Sequence, residues 1–115
     1  MATLKLKLQL MHGGEIAMGP GKAELLDRIE ETGSISAAAR AMGMSYRRAW
    51  LLVDAMNRCF AEPLVETRPG GGKQAGAQVT EAGKRVREAY GALVEMAEQS
   101  AHGVALGTLT RALRK

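Results

Sequence analysis

Residues Ser34 to Phe60, SISAAARAMGMSYRRAWLLVDAMNRCF, set the tightest limit on how this chain can fold. They read as a short helix, a turn at Gly43, and a longer helix opening with Ser45-Tyr46-Arg47-Arg48. Two helices that cross steeply through a short turn containing glycine form a helix-turn-helix. With Gly43 as the turn, Ala38, Met42, Met44, Ala49 and Leu52 fall where such a pair buries apolar groups. Ala39 lies where the two helices approach most closely, and a larger side chain there would push them apart. Ser45, Tyr46 and Arg47 are left pointing outward. The second helix carries its apolar face at Ala49, Leu52, Val53, Met56 and Phe60, at steps of three and four residues.

What precedes the pair is short. Leu4, Leu6, Leu8 and Leu10 alternate with Lys5, Lys7 and Gln9, a period of two that predicts a strand with one buried face. His12-Gly13-Gly14 is a turn signal, and Glu15–Met18 returns as a second strand of a hairpin. Gly19-Pro20-Gly21 ends it, with Pro20 suited to the first turn of a helix. Leu25, Leu26 and Ile29 then repeat at helical spacing over 22–32, and Gly33 stops that helix. Ser34 or Ser36 can cap the next one by accepting from its free backbone N–H groups.

After Pro63, Leu64–Arg68 reads as a strand and Ala77–Val79 as its return, joined by the basic, glycine-rich stretch PGGGKQAG. A hairpin of that kind directly after the second helix is a wing. Thr80 caps a last long helix from about Glu81 to Ser100, with Glu81 in the first turn where the helix dipole favours a carboxylate. Ala82, Val86, Tyr90, Leu93 and Ala97 give it an apolar stripe longer than one small domain can cover. Val86, Tyr90, Leu93 and Ala97 are therefore candidates for dimerisation. Residues 101–115 form a tail or a short amphipathic helix, with Leu106, Leu109 and Leu113 at helical spacing and a basic end. The expected fold is mainly α with small β hairpins: a winged helix-turn-helix over 1–100 with a dimerisation helix over 81–100.

Composition narrows the partners. The 115 residues carry a net charge of +4 and only 3% aromatics, so the core is built from aliphatic residues, methionine and alanine. A basic balance suits an anionic partner such as nucleic acid. The lone Cys59 cannot form an internal disulfide, which favours a cytoplasmic location. No run approaches the roughly 18 apolar residues of a membrane span.

Arg47 and Arg48 open the second helix, where residues reach base edges in the major groove, and arginine bonds guanine through two hydrogen bonds. Tyr46 can meet a phosphate or a thymine methyl, and Ser45 belongs to the same cluster. Ser34 and Ser36 lie at a helix N-terminus that can face phosphate. Arg68, Lys73 and Gln74 lie in the wing, within reach of the DNA backbone or minor groove. Trp50 is expected as an anchor between the second helix and the wing or last helix. Gly72-Lys73 and Gly21-Lys22 fail as phosphate loops, because Thr67 and Ile16 stand where glycine is needed and Gln74 and Ala23 where Ser or Thr is. His12, His102 and Cys59 have no ligand spacing, so no metal site, cofactor or enzyme is expected.

The runs GSISAAARAMGMSYRRAWLLVDAMN and LVETRPGGGKQAGAQVTEAG closely resemble the N-terminal winged-helix domain of ModE-type molybdate-responsive regulators. They are more distantly similar to the DNA-binding domain of LysR-type regulators, whose last helix begins with a comparable T-E-A-G. The resemblance implies a homodimer joined through the last helix, with two recognition helices facing successive major grooves of a near-palindromic double-stranded operator. It also carries three departures. Full-length family members continue into a molybdate-binding domain that these residues do not include, so molybdate is not expected to bind them. Gln74 and Ala75 interrupt a stretch the family makes nearly all glycine, and Leu51 stands where the family more often has an acidic residue. The exposed Leu51 and the amphipathic tail leave a second possibility, a winged-helix module that binds a partner protein and not DNA.

Overall fold

A computed structural model describes residues 2–68 and 76–115. The chain order is β1 (Leu10–His12), β2 (Glu15–Met18), α1 (Pro20–Thr32), α2 (Ile35–Ala41), α3 (Tyr46–Cys59), β3 (Val65–Arg68), β4 (Gly76–Val79), α4 (Glu81–Ala101) and α5 (Val104–Ala112). The two hairpins are antiparallel and separate. This is the expected winged helix-turn-helix, and the tail is a helix.

Local chemistry sets the helix boundaries. Pro20 opens α1, where its missing N–H costs nothing. Ser34 Oγ accepts from Ala37 N at 2.9 Å, Ser45 Oγ from Arg48 N at 3.1 Å and Thr80 Oγ1 from Gly83 N at 2.9 Å, so each of α2, α3 and α4 starts on a side-chain cap. Gly43 has φ 67° and turns the chain between α2 and α3, a conformation that costs an L side chain energy. Ser36 is not a cap. Its Oγ accepts from Arg40 Nη1 at 2.9 Å, one turn along α2.

The core lies where α1, α2 and α3 meet the base of the wing. Leu25, Leu26, Ile29, Ala38, Ala39, Ala49, Val53, Met56 and Leu64 are all buried in it. Alanine at 38, 39 and 49 lets the α2–α3 pair approach closely, as the spacing predicts. Met42, Met44, Leu52 and Phe60 pack around its edge.

The N-terminal strand is shorter than the alternation suggests. Residues 2–9 are not in a strand, and β1 begins only at Leu10. The partner strand β2 has four residues, so the rest of the leucine run has nothing to pair with. It follows α4 instead, with Leu6 and Leu8 half-buried and Lys5 and Lys7 exposed. Tyr90 Oη donates to Leu8 O at 2.7 Å and fixes that path.

Cross-links between elements are polar and specific. Arg87 of α4 grips Asp27 of α1 through both carboxylate oxygens at 2.8 and 3.0 Å. Arg58 of α3 binds Glu15 of β2 in the same two-point manner at 2.9 Å, and its Nε bonds Asp54. These charge-assisted pairs fix orientation more than they add stability at an exposed surface. The chain measures 57 × 30 × 23 Å, elongated because α4 runs on beyond the core.

Candidate nucleic-acid interface

The helix-turn-helix leaves α3 with two opposite lines of side chains. Ala49, Val53, Met56 and Phe60 form the line packed on the core, spaced i, i+4, i+7, i+11. Arg47, Leu51, Asp54 and Arg58 have the same spacing two residues earlier in phase, about 200° around the helix, and form the outward line. Asp54 is occupied by Arg58, and Arg58 by both Asp54 and Glu15. Among the described residues, Arg47 and Arg48 make no side-chain ion pair. The N-terminal two turns of α3 therefore carry the groups free to meet a ligand.

Tyr46 flanks this line and is 54% exposed. Ser45 Oγ accepts the cap bond from Arg48 N, which orients the backbone of the first turn. The sequence reads Trp50 as an anchor between α3 and the wing or last helix. In the structure it is 42% exposed on the same flank as Tyr46, one turn on, because the core-facing positions are already taken by Ala49 and Val53. Leu51, at 55% exposure, occupies the outward line itself. Both positions follow from the helical count that buries Ala49 and Val53, a signal available in the sequence.

The wing stands beside α3, and a side chain that sequence reasoning missed connects them. Asn57 Oδ1 accepts from Leu64 N at 2.8 Å and Val65 N at 3.3 Å, while its Nδ2 donates to Val65 O at 3.0 Å. It thus pairs both backbone groups of Val65 at the start of β3. On the other side, Val65 lies opposite Val79, and Arg68 opposite Gly76. Arg68 Nη2 donates to Gln78 Oε1 at 3.0 Å, which holds this predicted contact along the wing. Lys73 and Gln74 lie outside the described residues.

Ser34 and Ser36 sit at the start of α2, before the turn and α3. Ser34 is half-buried through its cap, and Ser36 is exposed and bonded to Arg40. Lys22, near the start of α1, is buried along its stem, and that burial pushes its ammonium below the usual lysine range. Glu15 is held below the usual carboxylate range, chiefly by the Arg58 hydrogen bond. Cys59 donates to Glu15 Oε2 at 3.6 Å, and its thiol is pushed up by burial and by that carboxylate. A thiol so placed is a poor nucleophile.

The four residues assigned to dimerisation line one apolar groove of about 500 Å³, together with Leu8, Leu10, Met18 and Phe60. Tyr90 is only 9% exposed and already bonded within the chain, whereas Leu93 is 53% exposed. Val86 and Ala97 are half-buried. Among the described residues, no three or more of His, Cys, Asp and Glu are grouped to hold a metal ion. Among them, too, no helix is long and apolar enough to cross a membrane.

Residues 21–84 match the bacterial regulatory helix-turn-helix proteins of the lysR family. This chain belongs to that family. It is 50% identical to the molybdenum-pterin-binding protein MopB of Rhodobacter capsulatus over 76 residues, which is 66% of this chain and 28% of MopB. It is 41% identical to MopA of the same organism over 100 residues, covering 87% of this chain and 37% of MopA. The DNA-binding transcriptional dual regulator ModE of Escherichia coli is 33% identical over 100 residues, covering 87% of this chain and 36% of ModE. The ModE-type resemblance is thus borne out, and the chain spans roughly a third of these relatives.

Two solved structures share the fold. The LysR family regulator VV2_1132 superposes with TM-score 0.54 at 20% identity, over 70% of this chain and 26% of that one. The CbnR DNA-binding domain, solved with DNA, gives TM-score 0.54 at 22% identity, over 80% of this chain and 93% of that one. The chain carries a helix-turn-helix DNA-binding domain of the LysR/ModE kind.

Proposed function

We propose that this chain reads double-stranded DNA in a sequence-specific way, as a homodimeric transcriptional regulator acting in the cytoplasm. The observation that carries this is the N-terminal half of α3. Arg47 and Arg48 stand there with no ion-pair partner among the described residues, opposite the buried face and beside a wing. In this proposal α3 enters the major groove. Arg47 and Arg48 bond base edges or phosphate, and Ser45 and Tyr46 contact the adjoining backbone. Ser34 and Ser36 at the start of α2 face phosphate, and Arg68, Lys73 and Gln74 of the wing lie along the flanking DNA. The functional unit is 1–100, with 101–115 as an appendage.

The dimer rests on the groove of about 500 Å³ along α4 and on the exposed Leu93 and Met96 beside it. Tyr90 contributes by shaping the groove wall, while Val86, Leu93 and Ala97 supply the surface a second copy covers. Two such copies would present two α3 helices, and the site bound would be near-palindromic.

Selection of bound duplexes from a random pool tests the whole proposal. The expected result is an enriched site with two half-sites about one helical turn apart. Its affinity should fall steeply with salt as counterions are released. Failure to enrich any duplex at low salt overturns the proposal. A second reading, docking of a protein partner, is favoured by the exposed Leu51, Leu109 and Leu113. It predicts partner binding that survives replacement of both Arg47 and Arg48 by alanine, whereas the DNA proposal predicts loss of activity in that variant.

A further inference from the structure

The outward line of α3 contains one residue that hydrogen bonding to DNA does not explain. Leu51 is 55% exposed in the second turn, one helical turn beyond Arg47 and on the same line. Trp50, beside it, is also exposed. Beyond them the line is closed by the Asp54–Arg58–Glu15 bonds. The apolar patch is therefore bounded by an unpaired arginine on one side and a satisfied ion-pair cluster on the other. In the proposed complex this patch lies inside the major groove, continuous with the Arg47 contact.

The major groove offers one apolar group, the C5-methyl of thymine, and it is read by apolar side chains. We propose that Leu51 is a specificity-determining residue that covers thymine methyl groups. The inference rests on the DNA-reading proposal. It adds that the bound half-site carries a thymine near the base contacted by Arg47. Four residues of helix advance about 6 Å. With bases about 3.4 Å apart along a strand, that thymine lies about one to two base pairs away. A protein partner is the competing occupant, and it predicts no dependence on the methyl.

The test uses the full chain and a duplex enriched by it from a random pool. Each thymine of the site is replaced in turn by uracil, which deletes only the methyl, and affinity is read by fluorescence anisotropy at fixed salt. The expected result is a loss of about fourfold per methyl at one or two thymines in each half-site. Leu51→Ala should bind the thymine site more weakly by a similar factor and no longer distinguish uracil from thymine there. Arg47→Ala should keep the methyl dependence while losing affinity for its own base. Tight binding with a flat uracil scan overturns the inference and leaves DNA reading intact. So does a Leu51→Ala protein that keeps the full methyl dependence. No enriched duplex at all overturns both.

Discussion

Replacing Asn57 by leucine, a side chain of similar size without polar atoms, tests how the wing is held against α3. The change removes the acceptor of Leu64 N at 2.8 Å and of Val65 N at 3.3 Å, and the donor to Val65 O at 3.0 Å. Leu64 and Val65 are both buried, so the released groups are poorly placed to recover water. A buried backbone group left without a partner costs about 1–3 kcal/mol. The 3.3 Å bond is the weakest of the three, so two groups carry most of the loss. The expected destabilisation is about 2–6 kcal/mol.

For a domain of this size about 1 kcal/mol shifts the melting temperature by roughly 4 °C, so the variant should melt about 8–24 °C lower. Urea unfolding at one protein concentration gives the free energy directly, and thermal melts followed by circular dichroism give the shift. Asn57→Asp should fall between the two proteins. It keeps an acceptor for the N–H groups, but it sets a carboxylate oxygen against Val65 O. A loss below about 0.5 kcal/mol in the leucine variant would refute the reasoning, because it would mean water replaces all three bonds.

Gly83→Ala should destabilise the chain by about 1–3 kcal/mol in the same urea assay, despite alanine's better helix propensity. Its methyl would press on Leu64 O and come within 2.7 Å of Val79 Cγ1; a gain in stability would count against so tight an α4–wing contact. Tyr90→Phe should cost about 1 kcal/mol by removing the bond to Leu8 O. Burial raises the Tyr90 ionisation, so the folded state holds its proton more tightly than the unfolded chain. That contribution is complete below about pH 10 and is lost as pH rises through the raised value, so only the wild type should show this alkaline loss of melting temperature. Glu15→Gln reports the opposite limb. The Arg58 bond lowers the Glu15 ionisation, so its contribution is present above about pH 4 and fades as pH falls through the lowered value. Melting temperatures of wild type and variant should converge in acid, and a constant gap across the acid range would contradict this.

Helix order, the Gly43 turn, a serine cap at 34 or 36, the Thr80 cap and the wing strands were legible in the sequence because each depends on neighbours within a few residues, whereas Ser45 reads there only as an outward polar group and not as a cap. Periodicity also separated the buried and outward faces of α3. It failed at Leu4–Leu10, where alternation reports which side chains face the core but not whether another strand is present to pair with. At Trp50 the helical count itself points outward; the expectation of an anchor to the wing or last helix rests on the size of the aromatic side chain, which the structure leaves 42% exposed.

The Ser34–Phe60 run by itself determined that this chain would form a helix-turn-helix, because short-range spacing, capping and a glycine turn admit little else. Tertiary structure decided which of its groups are occupied and which are available. Arg58 is tied to Glu15 across 43 positions and holds Asp54 one turn away, Asn57 is committed to β3, and Tyr90 to Leu8 across 82 positions. Contacts across 43 and 82 positions leave no local pattern. They nevertheless leave Arg47, Arg48, Trp50 and Leu51 as the free face of α3.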